Sequence, residues 1–336
     1  MLGLGLAEAF LHLAAALSPR IAFELSPPWS RATTGDSALG FRLSPYFPSH
    51  DAWGYRNDSV PVRADVVTIG DSFTYGFAAP SGGSWPRHLA QLSGLTIYNA
   101  GVGGYGPCEY EIVLERTSTL EPRTVIVGLH TGNDLGDAYR AVYTDGRCAH
   151  LRNSSADLVA ELRALDQRGT LADLAAQRGW TTTAPSPDAS STVRSLHRWI
   201  ARRSQLYALA RSVRYAMLQL SAPVRADVGA DEGSYDESAD REHRVAFASD
   251  SVQRTVFKDP AIFELTVDLG DARIREGLRI TEQVLGSMHQ HLRARNVRLV
   301  VALLLDKPAV FAPVVRHRAP DALPDRFYEL AAKEER

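Results

Sequence analysis

Residues 64–76 read Ala-Asp-Val-Val-Thr-Ile-Gly-Asp-Ser-Phe-Thr-Tyr-Gly. The run Val66 to Gly70 is short, apolar and bounded by turn residues, which predicts a buried parallel strand. It leads straight into Asp71 and Ser72, so Ser72 is expected at the C-terminal edge of a sheet, in the crevice where open α/β sheets bind ligands. A serine there can attack an ester, or it can simply cap the helix that follows.

The same punctuation recurs downstream. A helical stretch from Trp85 leads to Leu95 to Gly101 (LTIYNAG), a second strand. A glycine-rich turn and Pro107 open a helix that leads to Thr124 to His130 (TVIVGLH), a third strand. Three βα units in succession predict a doubly wound α/β sheet. Helical spacing of Ile274, Leu278, Ile280, Val284 and Leu285 within Ala272–Asn296 precedes Arg298 to Asp306 (RLVVALLLD), a fourth strand expected to be buried. Between them, residues 138–270 read as an insertion with helical patches at 156–165 and 193–220 and polar loops, among them an acidic run near 231–240.

Each strand end carries a group suited to one task. After the second come Asn99-Ala100-Gly101-Val102-Gly103-Gly104-Tyr105-Gly106, whose glycines let backbone N–H groups approach a ligand. This spacing matches neither a dinucleotide fingerprint nor a Walker loop. After the third come Gly132-Asn133-Asp134, where an Asn amide supplies a donor to charge developing on a tetrahedral intermediate. Ser72, Gly104 and Asn133 thus fall at three successive strand ends, with Asp71 and Asp134 beside them as supporting groups. Phe73, Tyr75, Phe77 and Tyr105 are candidates for an acyl pocket, with about half of them expected in the core.

These blocks resemble those of the GDSL/SGNH hydrolase family: a GDS serine, a glycine and a GxND asparagine. Gly54-Tyr55-Arg56-Asn57, Ser84-Trp85-Pro86, the NAGVGGYGP turn and TGNDLGD are similar to a bacterial, membrane-proximal branch of it. The resemblance implies a three-layer α/β/α sandwich with a parallel, flavodoxin-like sheet. It also implies ester hydrolysis through an acyl-Ser72 intermediate, with the oxyanion held by the N–H groups of Ser72 and Gly104 and the Asn133 side chain. The same site run against an alcohol would make an O-acyltransferase on glycans, and a site without a base would be a carbohydrate- or lipid-binding module. Small acyl esters, lipids and O-acylated glycans are the implied substrates.

The family's Asp-x-x-His block, the general base and its orienter, is not found near the C-terminus. Among ten histidines only His243, in Asp240-Arg241-Glu242-His243, has an aspartate three residues before it, and it is read as part of a solvated loop. His317 has no suitably spaced acid, and His130 reads as a strand-end residue beside the site. The ending at Arg336 is read as removing the last strand together with the dyad. Residues 1–20 form an apolar helix, 21–137 and 271–336 the two parts of the hydrolase domain, and 138–270 the insertion.

Composition narrows the remaining classes. The 336 residues are 45% hydrophobic with a formal net charge of -2, so neither disorder nor a nucleic-acid partner is indicated. No cluster of His, Asp and Glu stands at metal-ligand spacing, and serine acyl chemistry calls for no cofactor. Cys108 and Cys148 are read either as a disulfide of an exported protein or as two buried thiols. Residues 1–17 are apolar but interrupted by Glu8 and His12, short of the ~20 residues of a membrane span, and no Lys or Arg precedes them as in a secretory signal. The segment is read as a membrane anchor or export segment of an extracytoplasmic or membrane-associated protein. The alternative is a helix packed on the domain, with a cytoplasmic location.

Overall fold

Four parallel strands carry the serine stretch and its neighbours in a computed structural model of the chain. It describes residues 2–25, 32–77, 79, 82–171, 204–207, 209–210, 213, 244–249, 253–258, 265–318, 325 and 328–329. The chain divides into two compact units, residues 1–60 with 183–228 and residues 61–182 with 229–336.

In the first unit, helices α1 (Leu2–Leu17) and α2 (Pro19–Leu25) precede an antiparallel hairpin of β1 (Thr33–Asp36) and β2 (Gly40–Leu43). The Asp36 carboxylate closes the hairpin by accepting from the N–H groups of Ala38 and Leu39, both at 3.0 Å. Leu6, Phe10, Leu13 and Leu17 stand exposed on α1. Among the described residues no helix is long and apolar enough to cross a membrane.

The second unit holds the sheet, in the order β4 (Ile97–Asn99), β3 (Val66–Gly70), β5 (Thr124–His130), β8 (Arg298–Leu304). Register runs from Val66 opposite Ile97 and Thr124 to His130 opposite Leu304, so the C-terminal ends of β3 and β5 lie along one edge. Val67, Ile69, Val125 and Val127 are fully buried, as continuous apolar runs in a parallel sheet require. Helices α3 (Ser72–Tyr75), α4 (Trp85–Ser93), α5 (Pro107–Thr117), α6 (Asp134–Tyr143), α8 (Ala272–Arg293) and α9 (Lys307–Arg318) complete a three-layer α/β/α sandwich. Helix α8 packs against α5 and α6 through its apolar stripe, with Ile274, Ile280, Val284 and Met288 buried.

Of the insertion, α7 (Ala156–Arg168) is tied to α6 and α8. Leu162 packs with Tyr139 and Ala272, and the Tyr139 hydroxyl donates to Asp166 at 2.6 Å. An antiparallel hairpin, β6 (Arg244–Ser249) and β7 (Gln253–Lys258), was not legible in the polar sequence around it. The patch at 193–220 lies largely outside the described residues, and the acidic run at 231–240 lies wholly outside them.

One expectation needs correction. The fourth strand, β8, is not buried: Leu303 is 63% and Val301 40% exposed. Among the described strands β8 has a neighbour on one side only, so its apolar side chains are covered less completely than those of β3 and β5.

Candidate functional site

The site is built at the ends of β3, β4 and β5. Asp71 follows β3 and is completely buried; its Oδ1 accepts from the Phe73 N–H at 2.8 Å and caps α3. Ser72 is therefore the first residue of the helix, not its cap, and its hydroxyl is left for other work. Ser72 Oγ donates to Asp71 Oδ2 at 3.4 Å and is half-buried at the sheet edge.

The glycine turn after β4 is pinned beside this serine. Val102 N–H donates to the Gly70 carbonyl at 2.9 Å, and the Asn99 side chain bridges the turn to α3, accepting from Gly101 N–H at 2.9 Å and donating to the Thr74 carbonyl at 3.0 Å. A methyl group on Gly103 would stand 3.5 Å from Ser72 Cβ, so the turn touches the serine. Gly104 has φ +84°, a left-handed conformation that disfavours any other residue there. Among the described residues, the N–H groups of Ser72 and Gly104 donate to no protein acceptor.

Asn133 sits at the N-terminus of α6. Its Nδ2 donates to Asp137 Oδ2 at 2.8 Å, and its Oδ1 faces His130 Nδ1 at 2.5 Å. Asp134 is fully buried. It accepts from the His130 N–H at 2.9 Å and from the Tyr110 hydroxyl at 2.9 and 3.0 Å, which latches α5 to α6. Burial first, then the neighbouring Asp71 charge, hold the Asp134 carboxyl well above the usual range. Burial likewise pushes Asp137 up to about 6, against the opposing pull of Arg140 and Asn133.

The sequence did not single out the partnership of His130 with Asp306. His130, 5% exposed, ends β5, and its Nε2 faces Asp306 Oδ1 at 3.1 Å while its Nδ1 lies 3.3 Å from Asp71 Oδ2. Burial alone would lower this imidazole, but hydrogen bonds and charge from Asp306 and Asp71 outweigh it and hold the group up to about 10. Gly132 makes room for this pairing: a Cβ there would collide with the Asp306 carboxylate and lie 2.8 Å from His130 Cε1. Asp306 follows β8 as His130 ends β5, and the two strands are neighbours in register, so strand-end position was the available signal.

The other candidates separate. Tyr105 is core, whereas Phe73 and Phe77 are exposed, Phe73 lying against His130. Cys108 and Cys148 are joined in a disulfide with Cα atoms 6.2 Å apart. Beside it, Glu109 Oε1 and Arg147 Nε stand 2.9 Å apart as an ion pair without hydrogen-bond alignment. His317 is exposed on α9, and His243 lies outside the described residues. Among the described residues no group of three or more His, Cys, Asp or Glu side chains is placed to hold a metal ion.

Neither a curated protein nor a solved structure matches the chain. Residues 68–243 match the GDSL-like Lipase/Acylhydrolase family, a span that opens within β3, four residues before Ser72, and takes in the glycine turn and the Gly132-Asn133-Asp134 corner. That span is just over half of the chain and carries all three strand ends around the serine, and on it the chain belongs to the GDSL-like lipase/acylhydrolase family.

Proposed function

We propose that the chain cleaves carboxylic esters with Ser72 as the nucleophile, the oxyanion being received by the N–H groups of Ser72 and Gly104 and by the Asn133 amide. The observation that supports this reading is that these groups follow three adjacent parallel strands, β3, β4 and β5, with both N–H groups uncommitted among the described residues. Attack of Ser72 Oγ on the ester carbonyl forms the acyl-serine and releases the alcohol, and water then releases the acid and regenerates the hydroxyl. Small acyl esters, lipids and O-acylated glycans fit this chemistry.

The test is labelling of the purified chain with a fluorophosphonate, read by intact mass, with Ser72→Ala as control. One adduct per chain that disappears in the control is expected. A folded wild type that takes up no label overturns the reading.

One observation favours a second reading, a non-catalytic module that binds acylated ligands. Both ring nitrogens of His130, the buried imidazole of the site, are already engaged, so it does not stand ready to take the Ser72 proton. Unlabelled protein that still binds an acylated glycan or lipid, equally well as Ser72→Ala, is the result that reading requires.

We infer a membrane-associated, extracytoplasmic location from two features: the exposed apolar side chains of α1 and the Cys108–Cys148 disulfide. Flotation with lipid vesicles that is lost when Phe10 and Leu13 are replaced by Ser is expected.

A further inference from the structure

We propose that His130 is a positioning residue for the oxyanion donor: clamped between Asp306 and Asp71, it fixes the Asn133 amide with one Nδ2 hydrogen free for the reacting oxygen. This rests on the reading of Ser72 and Asn133 given above and goes further, because it assigns work to a residue on β5 and another after β8.

Donors and acceptors around the ring match in one way only. Nε2 of His130 faces a carboxylate oxygen at 3.1 Å, and Nδ1 faces the Asn133 amide oxygen at 2.5 Å with Asp71 Oδ2 at 3.3 Å. A carboxylate oxygen stands at each nitrogen, Asp306 at Nε2 and Asp71 at Nδ1, and an ionised carboxylate can only accept, so both nitrogens carry hydrogen and the ring is an imidazolium. The Asn133 amide is then fixed in one sense. Its oxygen takes the hydrogen from Nδ1, and its nitrogen gives one hydrogen to Asp137 Oδ2 at 2.8 Å. A flipped amide would set an NH2 against an N–H and an oxygen against a carboxylate, losing both hydrogen bonds. A ring that lost the Nδ1 hydrogen would place its lone pair against the amide oxygen, and the fixed sense would be lost. Asp306 therefore acts on Asn133 through His130 without touching the serine.

The groups that face the ring are Asp71 and Phe73 at the start of α3, Asn133 at the start of α6, Asp134 on the backbone N–H, and Asp306 after β8. All the titratable ones are acids, so deprotonating the ring removes the only cation among them.

The experiment measures the rate of fluorophosphonate labelling of Ser72 in the wild type, Asp306→Asn, Asn133→Ala and the double variant, between pH 6 and 11. Asn133→Ala is expected to slow labelling roughly a hundredfold. Asp306→Asn should slow it about tenfold, the loss of one hydrogen bond to a charged group, and the double variant should be no slower than Asn133→Ala alone. The wild-type rate should fall above pH 10. An Asp306→Asn rate equal to wild type, or losses that simply multiply in the double variant, overturns the proposal while leaving Ser72 as nucleophile. A rate that climbs steadily as the ring deprotonates also overturns it, making His130 a base instead. If the folded wild type takes no label, the ester-cleaving reading fails by itself. The proposal is then judged by 15N NMR of the imidazole, where a bare Nδ1 at pH 8 refutes it.

Discussion

The imidazole of His130 lies flat against the ring of Phe73, their centroids 3.8 Å apart and their planes 24° from parallel. Phe73 is 41% exposed, so it shields the ring on one side while facing solvent on the other. A cation over an aromatic face is stabilised by the quadrupole of that face. Phe73→Ala is expected to lower stability by about 1 kcal/mol, and Phe73→Trp to retain most of it. Urea unfolding at pH 7 measures both, and the difference between Phe73→Ala and wild type should shrink above pH 10.

His130 also sets a stability profile. Its folded value of about 10 lies above the ordinary 6.5, so it contributes stability that is fully present below pH 6.5 and is lost as pH rises from there to about 10. His130→Gln should flatten the decline in unfolding midpoint across that window relative to wild type. Equal slopes would show that the ring is neutral when folded.

Asp137 works in the same sense at lower pH, although here it is the neutral form that the fold favours. Its folded value of about 6 lies above the ordinary 3.8, so the folded chain binds the proton more tightly, and ionising this carboxyl costs stability as pH rises from 3.8 to about 6. Asp137→Asn keeps an acceptor for Asn133 Nδ2 and removes that cost. The variant should gain on wild type between pH 4 and 6, read as the difference in thermal midpoint.

The catalytic assignment separates binding from turnover. With Asn133 in its proposed role as oxyanion donor, Asn133→Ala should lower kcat on an activated ester by a factor on the order of a hundred with KM nearly unchanged, because such a donor meets charge that exists only in the transition state. A comparable rise in KM would place Asn133 in ground-state binding instead.

The Cys108–Cys148 bond spans 40 residues, from the start of α5 to the loop after α6. On the chain-entropy model, a loop of that length corresponds to about 4 kcal/mol. Thermal unfolding with and without a thiol reductant should show a loss of that order, and Cys148→Ser should match the reduced wild type.

The parts of this molecule that rest on local pattern were legible in the sequence. Val66 to Gly70, Thr124 to His130 and the helix of Ala272 to Arg293 follow from apolar runs and spacing, and Ser72, Gly104 and Asn133 follow from strand ends. What escaped depended on neighbours distant in sequence. The exposure of Leu303 reflects the position of β8 in the strand order, which periodicity does not encode. The pairing of His130 with Asp306 joins residues 176 positions apart, and a lone aspartate after a strand gives no sign of which imidazole it will meet. That Asp71, not Ser72, caps α3 turns on which of two adjacent capping residues reaches Phe73 N–H.

The long reach of Asp306 has a consequence for how the chain matures. The hydrogen bonds of β5 to β3 join nearby stretches and can form while synthesis is still under way, whereas β8 reaches β5 only after the whole intervening insertion has been made. Until then the imidazole at the end of β5 lacks its second counterion, and the asparagine beside it is held through Asp137 without the complete clamp on its other side. On the proposed reading, the nascent protein carries its serine before the clamp on Asn133 is complete, and completion comes only when the last described strand docks.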